Sequence, residues 1–135
     1  MNKNPFLKAR SKSSEGTEDQ QERNKLWWES MPMTYVDWQE EDRLIESLAE
    51  FINMEETLLS ASPFLREEFD FSALKGKKVL DLGCGAGVLS CLLAKHGAIT
   101  TAIDLTANGT KLTTINAKLQ GQTIDVINCD AENMP

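Results

Sequence analysis

The pattern of apolar and polar positions divides the chain into three stretches. Residues 1–24 are polar and charged, with almost no apolar periodicity. Such a segment cannot bury enough surface to outweigh the entropy lost on ordering, so a disordered tail is expected there. Residues 25–74 open on an abrupt aromatic cluster holding Trp27, Trp28, Tyr35 and Trp38. Asp37 with Glu40 has the form of a capping box, and a helix is expected from there to about Ala61. Its apolar face would be Leu44, Leu48, Phe51 and Ile52. Ser62 and Pro63 then predict a short helix, with serine as cap and Phe64, Leu65 and Phe69 turned inward.

Over residues 75–135 the period changes. A strand is predicted over 79–82 and an apolar helix over 86–96, with Leu89, Leu92 and Leu93 inward. A second strand follows over 99–104. Thr106 caps the next helix, which runs through Leu112, Ile115 and Leu119 to Gly121, and 124–128 reads as a third strand. Gly109, near the start of that helix, costs roughly 1 kcal/mol relative to alanine. The alternation implies an α/β fold with a parallel sheet and right-handed crossovers.

Ligands of such sheets bind beyond the carboxyl ends of the strands, and three chemical features fall there: the glycines of 83–87, Asp104 and Asp130. The glycine spacing is Gly-x-Gly-x-Gly. A dinucleotide fingerprint wants its third glycine where Val88 stands. Asp81, just before the loop, would repel a pyrophosphate and suits an ammonium group. Asp104 is placed to accept ribose hydroxyls, and Asp130 to accept from an exocyclic amine. An adenosine joined to a cationic amino-acid moiety satisfies all three.

Composition and charge narrow the partners. The net charge of −7 over 135 residues argues against nucleic acid. No apolar run approaches the ~20 residues of a membrane span. Cys84, Cys91 and Cys129 show no metal-ligand spacing and read as reduced, buried residues of an intracellular protein, with no metal expected. Lys3, Lys8, Arg10 and Lys12 among serines have a transit-peptide composition but little amphipathicity. A cytoplasmic location is therefore expected, with organelle targeting as the alternative. His96 reads as a cation at a helix end. The aromatic cluster reads equally as a staple onto the core or as a lid over a pocket.

These motifs bring a family into view. Residues 79–87 resemble motif I of the class I S-adenosylmethionine-dependent methyltransferases, 101–106 are similar to their second motif, and 129–135 to the third. The closest likeness is to small-molecule enzymes of the ubiquinone-biosynthesis type. The resemblance implies S-adenosyl-L-methionine as cofactor and a Rossmann-like sheet. Gly83, Gly85 and Gly87 would let the loop pass under the cofactor, with the Cys84 carbonyl near its amino group and Asp81 acting on that group. Asp104 would hold the ribose, Leu105 would pack on adenine, and Asp130 and the Ala131 amide would read the adenine edge. It also implies a sheet order 3-2-1-4-5-7-6, of which these strands are 3-2-1. The first strand is then an open edge where association is expected. Residues 75–135 would thus be the N-terminal half of a methyltransferase domain acting on a small-molecule acceptor, within a longer enzyme. The alternative is a non-catalytic truncated product or interaction module. No catalytic residue is assigned.

Overall fold

The computed structural model describes residues 17–30 and 47–135. Strand β1, Lys78–Leu82, pairs in parallel with β2, Ile99–Asp104, and β2 with β3, Ile124–Asn128, giving the order β1-β2-β3. The expected parallel α/β sheet is therefore present, with β2 in its centre. Short crossovers leave little choice of order, because each strand must return beside its predecessor.

Five helices accompany the sheet among the described residues: α1, Thr17–Ser30; α2, Leu48–Ala61; α3, Phe64–Glu67; α4, Val88–Lys95; and α5, Ala107–Leu119. Helix α4 joins β1 to β2, and α5 joins β2 to β3. Phe51 and Met54 of α2 form a buried core with Ala86, Val88 and Leu112, and Leu58 and Ile115 pack against it. Helix α2 thus rests on α4, α5 and the glycine loop. Lys95 of α4 reaches Glu55 of α2 at 2.6 Å and pins the two helices together.

Several boundaries differ from expectation. The tail expected over 1–24 is not uniform, since α1 starts at Thr17 and carries Trp27 and Trp28 in its last turn. The proposed cap Asp37–Glu40, with Leu44, Tyr35 and Trp38, lies outside the described residues. Helix α2 starts at Leu48, and its capping box is Ser47 and Glu50, an S-x-x-E pattern. Phe51, Met54 and Leu58 form its inward stripe, while Leu48 and Ile52 lie to one side of that stripe and are exposed. Ser62 closes α2 and does not cap α3, which begins after Pro63 without a side-chain cap. Phe64, Phe69 and Leu119 are exposed too, because among the described residues these short or terminal turns have no layer above them. Phe69 meets Phe71 edge-on, and Phe71 stacks on the His96 ring at 4.8 Å. His96 stands at the end of α4, as a helix-end residue should. No helix among the described residues is long and apolar enough to cross a membrane.

Candidate cofactor site

The site is built at the carboxyl ends of the three strands. After Leu82 the backbone turns through Gly83, Gly85 and Gly87, all with positive φ (73°, 53° and 73°), a conformation that side chains strain. The loop is tied down from inside. Both the Gly83 and Cys84 amides donate to the Ile103 carbonyl at 2.9 Å, and the Gly87 amide donates to the Cys84 carbonyl at 2.8 Å. The Gly85 amide donates to Asp104 Oδ2 at 2.8 Å. Four loop amides are thereby engaged within the fold. A phosphate-binding loop keeps such donors for its anion.

The three glycines have different surroundings. Among the described residues a Cβ on Gly83 or Gly85 would meet nothing within 4 Å, so that side of the loop is open to them. A Cβ on Gly87 would lie 2.7 Å from the Thr113 side chain and 2.9 Å from its Cα. Gly87 therefore serves contact with α5, whereas Gly83 and Gly85 border open space.

Asp104 is the hub of the second strand end. Its Oδ1 accepts from the Thr106 amide at 2.9 Å and the Thr106 hydroxyl at 2.7 Å, while Oδ2 holds the Gly85 amide. Thr106 Oγ1 in turn accepts from the Gly109 amide at 3.0 Å and caps α5. A Cβ on Gly109 would strike the Asp104 carboxylate carbon at 2.8 Å. Glycine early in this helix is thus a requirement of the Asp104 turn, which helix propensity does not reveal. A carboxylate offers about four acceptor sites, so Asp104 keeps room for roughly one further donor.

The remaining residues gather around these two loops. Asp81 Oδ2 accepts from the buried Ser90 hydroxyl at 2.5 Å, joining β1 to α4. Leu105, half-buried, follows Asp104 directly. At the third strand end the Cys129 amide and the Asn128 side chain both donate to the Asp104 carbonyl, at 3.0 and 2.9 Å. Asp130 Oδ1 accepts from the Glu132 amide at 2.9 Å, capping a short 3₁₀ turn over Ala131–Asn133. Ala131 is exposed at its start. Ser90, Thr106 and Gly109 were not legible as site residues. The only signal for Ser90 and Thr106 was the need of each half-buried carboxylate for a donor nearby, and Gly109 had none. On the far side, Glu29 of α1 accepts from the Asn108 amide at 2.9 Å, and Asn108 Nδ2 donates to the Glu29 carbonyl at 3.2 Å. That contact seats α1 on the first turn of α5, next to the Asp104 loop.

Burial pushes the Cys84 thiol up to about 11, aided by the nearby charges of Asp104 and Asp81 and opposed by the Thr113 hydroxyl. Burial also pushes Cys91 up to about 12. Both thiols stay protonated in the fold at pH values where the unfolded chain has begun to ionise near 9. The folded state then holds more protons, so stability falls as pH rises from 9 toward 11. The slope is roughly 1.4 kcal/mol per pH unit for each thiol. Urea unfolding at pH 8, 9.5 and 10.5 is expected to show this decline, and Cys91→Ala should make it shallower. An equal slope in the two proteins would refute the assignment to Cys91. Among the described residues no cluster of His, Cys, Asp and Glu has the form of a metal site.

Comparison with known proteins agrees with this architecture. A family model described as "Methyltransferase domain" matches residues 79–135. A ubiquinone biosynthesis O-methyltransferase of Histophilus somni (strain 2336) is 50% identical over 54 residues, which is 40% of this chain and 23% of that protein. One from Coxiella burnetii (strain Dugway 5J108-111) is 44% identical over 66 residues, 44% of this chain and 28% of the other. The chain spans about a quarter of the length of these curated relatives. The fold resembles that of magnesium protoporphyrin IX methyltransferase from Synechocystis PCC 6803, solved with bound SAH. The TM-score is 0.55 at 19% identity, over 85% of this chain and 53% of that one. Geranyl diphosphate C-methyltransferase from Streptomyces coelicolor A3(2) is alike in fold at TM-score 0.53 and 14% identity, over 85% and 49%. Residues 79–135 match a methyltransferase-domain model, and the fold, with motif I at the first strand end and acids at the next two, is that of the class I S-adenosylmethionine-dependent methyltransferases.

Proposed function

We propose that this chain binds S-adenosyl-L-methionine at the three strand ends and presents its methyl group to a small-molecule acceptor. One observation carries the reading. The amides of Gly83, Cys84, Gly85 and Gly87 are engaged within the protein, while the carboxylates of Asp81, Asp104 and Asp130 stand at successive strand ends. A site poor in donors and rich in acceptors disfavours a pyrophosphate. It suits a ligand bearing an ammonium group, ribose hydroxyls and an exocyclic amine, each of which donates. The open space above Gly83 and Gly85 gives such a ligand room for close approach.

When bound, the cofactor supplies an electrophilic methyl group on a sulfonium centre. The residues of this chain bind and orient. Asp81 takes the ammonium group, near the Cys84 carbonyl. Asp104 takes a ribose hydroxyl through its remaining acceptor site, and a second only if the Gly85 amide lets go. Leu105 covers one adenine face, and Asp130 with the Ala131 amide reads its edge. Holding the methyl carbon in line with an incoming nucleophile is the main catalytic task in such a transfer. No described residue is assigned to the acceptor.

The curated relatives are named for ubiquinone biosynthesis, and they support an acceptor of small-molecule size. A second reading, an interaction module that keeps a cofactor half-site, is favoured by Leu80, Leu82 and Ile99. They are 46%, 56% and 58% exposed on β1 and at the start of β2. Titration calorimetry of this chain with S-adenosylhomocysteine and with NAD+ tests the cofactor reading. Binding of the first alone is expected, and preference for the dinucleotide would overturn it.

A further inference from the structure

We propose that Thr113 and Asn116, neighbours on one face of α5, are positioning residues for the cofactor loop. They hold the Gly85 and Ala86 carbonyls on the helix side and so keep the opposite side of the loop clear for the ligand. Thr113 Oγ1 donates to the Gly85 carbonyl at 2.9 Å, and Asn116 Nδ2 donates to the Ala86 carbonyl at 3.0 Å. Both side chains are wholly buried, at 0% exposure. The Asn116 amide is oriented by Gln120, whose Nε2 donates to its Oδ1. The Cys84 sulfur lies 3.3 Å from the same Thr113 oxygen, so one hydroxyl contacts two successive loop residues.

The physical need for such a clamp follows from the loop itself. Three glycines in five positions put little steric penalty on peptide rotation, so the loop's conformation depends on its hydrogen bonds, the amides held as described above and the carbonyls from the α5 side. Rotation of the Gly85–Ala86 or Ala86–Gly87 peptide would swing a carbonyl toward the open side that Gly83 and Gly85 border. A buried carbonyl without a partner is unfavourable, so two buried donors on α5 select the orientation in which both carbonyls face the helix. The close approach of Gly87 to Thr113 keeps those donors within reach. Polar residues have no packing reason to sit at the two most enclosed positions of this helix. The loop carbonyls supply one.

This inference rests on the cofactor reading above, because the loop is positioned for that ligand. The test uses the full chain. Thr113→Val keeps the shape and removes the hydroxyl, and Thr113→Ser keeps the hydroxyl. S-adenosylhomocysteine affinity is measured by calorimetry and amide exchange by NMR. Thr113→Val is expected to lose about tenfold in affinity, with faster exchange at residues 83–87 and unchanged protection in β2. The serine variant should return to within about threefold of the unaltered chain. Asn116→Leu is read in the same way and decides the matter if Thr113→Val does not fold. Unaltered affinity in the valine variant, or exchange that rises equally across β2 and β3, would overturn the positioning role and leave the cofactor reading standing. No binding by the unaltered chain would sink the cofactor reading and this inference with it.

Discussion

Replacing Gly87 with alanine is expected to be the most damaging single substitution in the glycine loop. The added methyl would sit 2.7 Å from the Thr113 side chain and 2.9 Å from its backbone Cα, which cannot move without shifting α5. The residue would also have to hold a φ of 73°. Left-handed strain and overpacking together amount to about 3 kcal/mol or more. For a domain of this size that lowers the unfolding midpoint by more than about 10 °C. Gly83→Ala meets no atoms and carries only the conformational strain, so it should lose about a third as much. Thermal unfolding followed by circular dichroism separates them. Equal losses in the two variants would contradict the division of the loop into a ligand side and a helix side.

Asp104→Asn is expected to have the largest effect on binding. The carboxylate accepts from the Gly85 amide on one oxygen and from both Thr106 donors on the other. A carboxamide offers only one oxygen, so in either orientation its NH₂ group confronts a backbone N–H. One tie is lost whichever way it turns, and the loop separates from the β2 end or the cap of α5 loosens. The charge that would hold the ribose is lost as well. Charge-assisted bonds of this kind contribute about 1.5–3 kcal/mol, so S-adenosylhomocysteine affinity should fall on the order of 30-fold. A change within threefold in calorimetry would remove Asp104 from the site.

Much of the fold was legible in the pattern. The strands stood out by their short apolar runs, the helices by their 3.6-residue stripes, and the loops were short enough to fix a parallel order. Motif I was legible by its resemblance to the family's sequence; the residues alone showed a glycine spacing that departs from the dinucleotide fingerprint and a carboxylate, Asp81, that would repel a pyrophosphate. Other features depend on what lies above a residue, which periodicity does not encode. Leu48, Ile52, Phe64 and Leu119 look like core residues and are exposed because no element among the described residues covers them. Ser47 was overshadowed as a cap by Asp37, since both are followed three residues later by glutamate. Gly109 reads as a weak spot in a helix until the Asp104 carboxylate is found in the space its side chain would fill. Thr113 and Asn116 look like ordinary helix-surface residues. Their donors matter only because the fold brings two loop carbonyls, 28 and 30 residues away in sequence, against that face.

The central claim is that the three strand ends form one cofactor-binding surface. It is tested most directly by titrating the ¹⁵N-labelled chain with S-adenosylhomocysteine and mapping the amide shifts. Perturbations are expected at residues 83–85, at Asp104 and Leu105, and at Asp130 and Ala131, rising together along one binding curve. Shifts confined to α1 and α2, or none at saturating ligand, would contradict it.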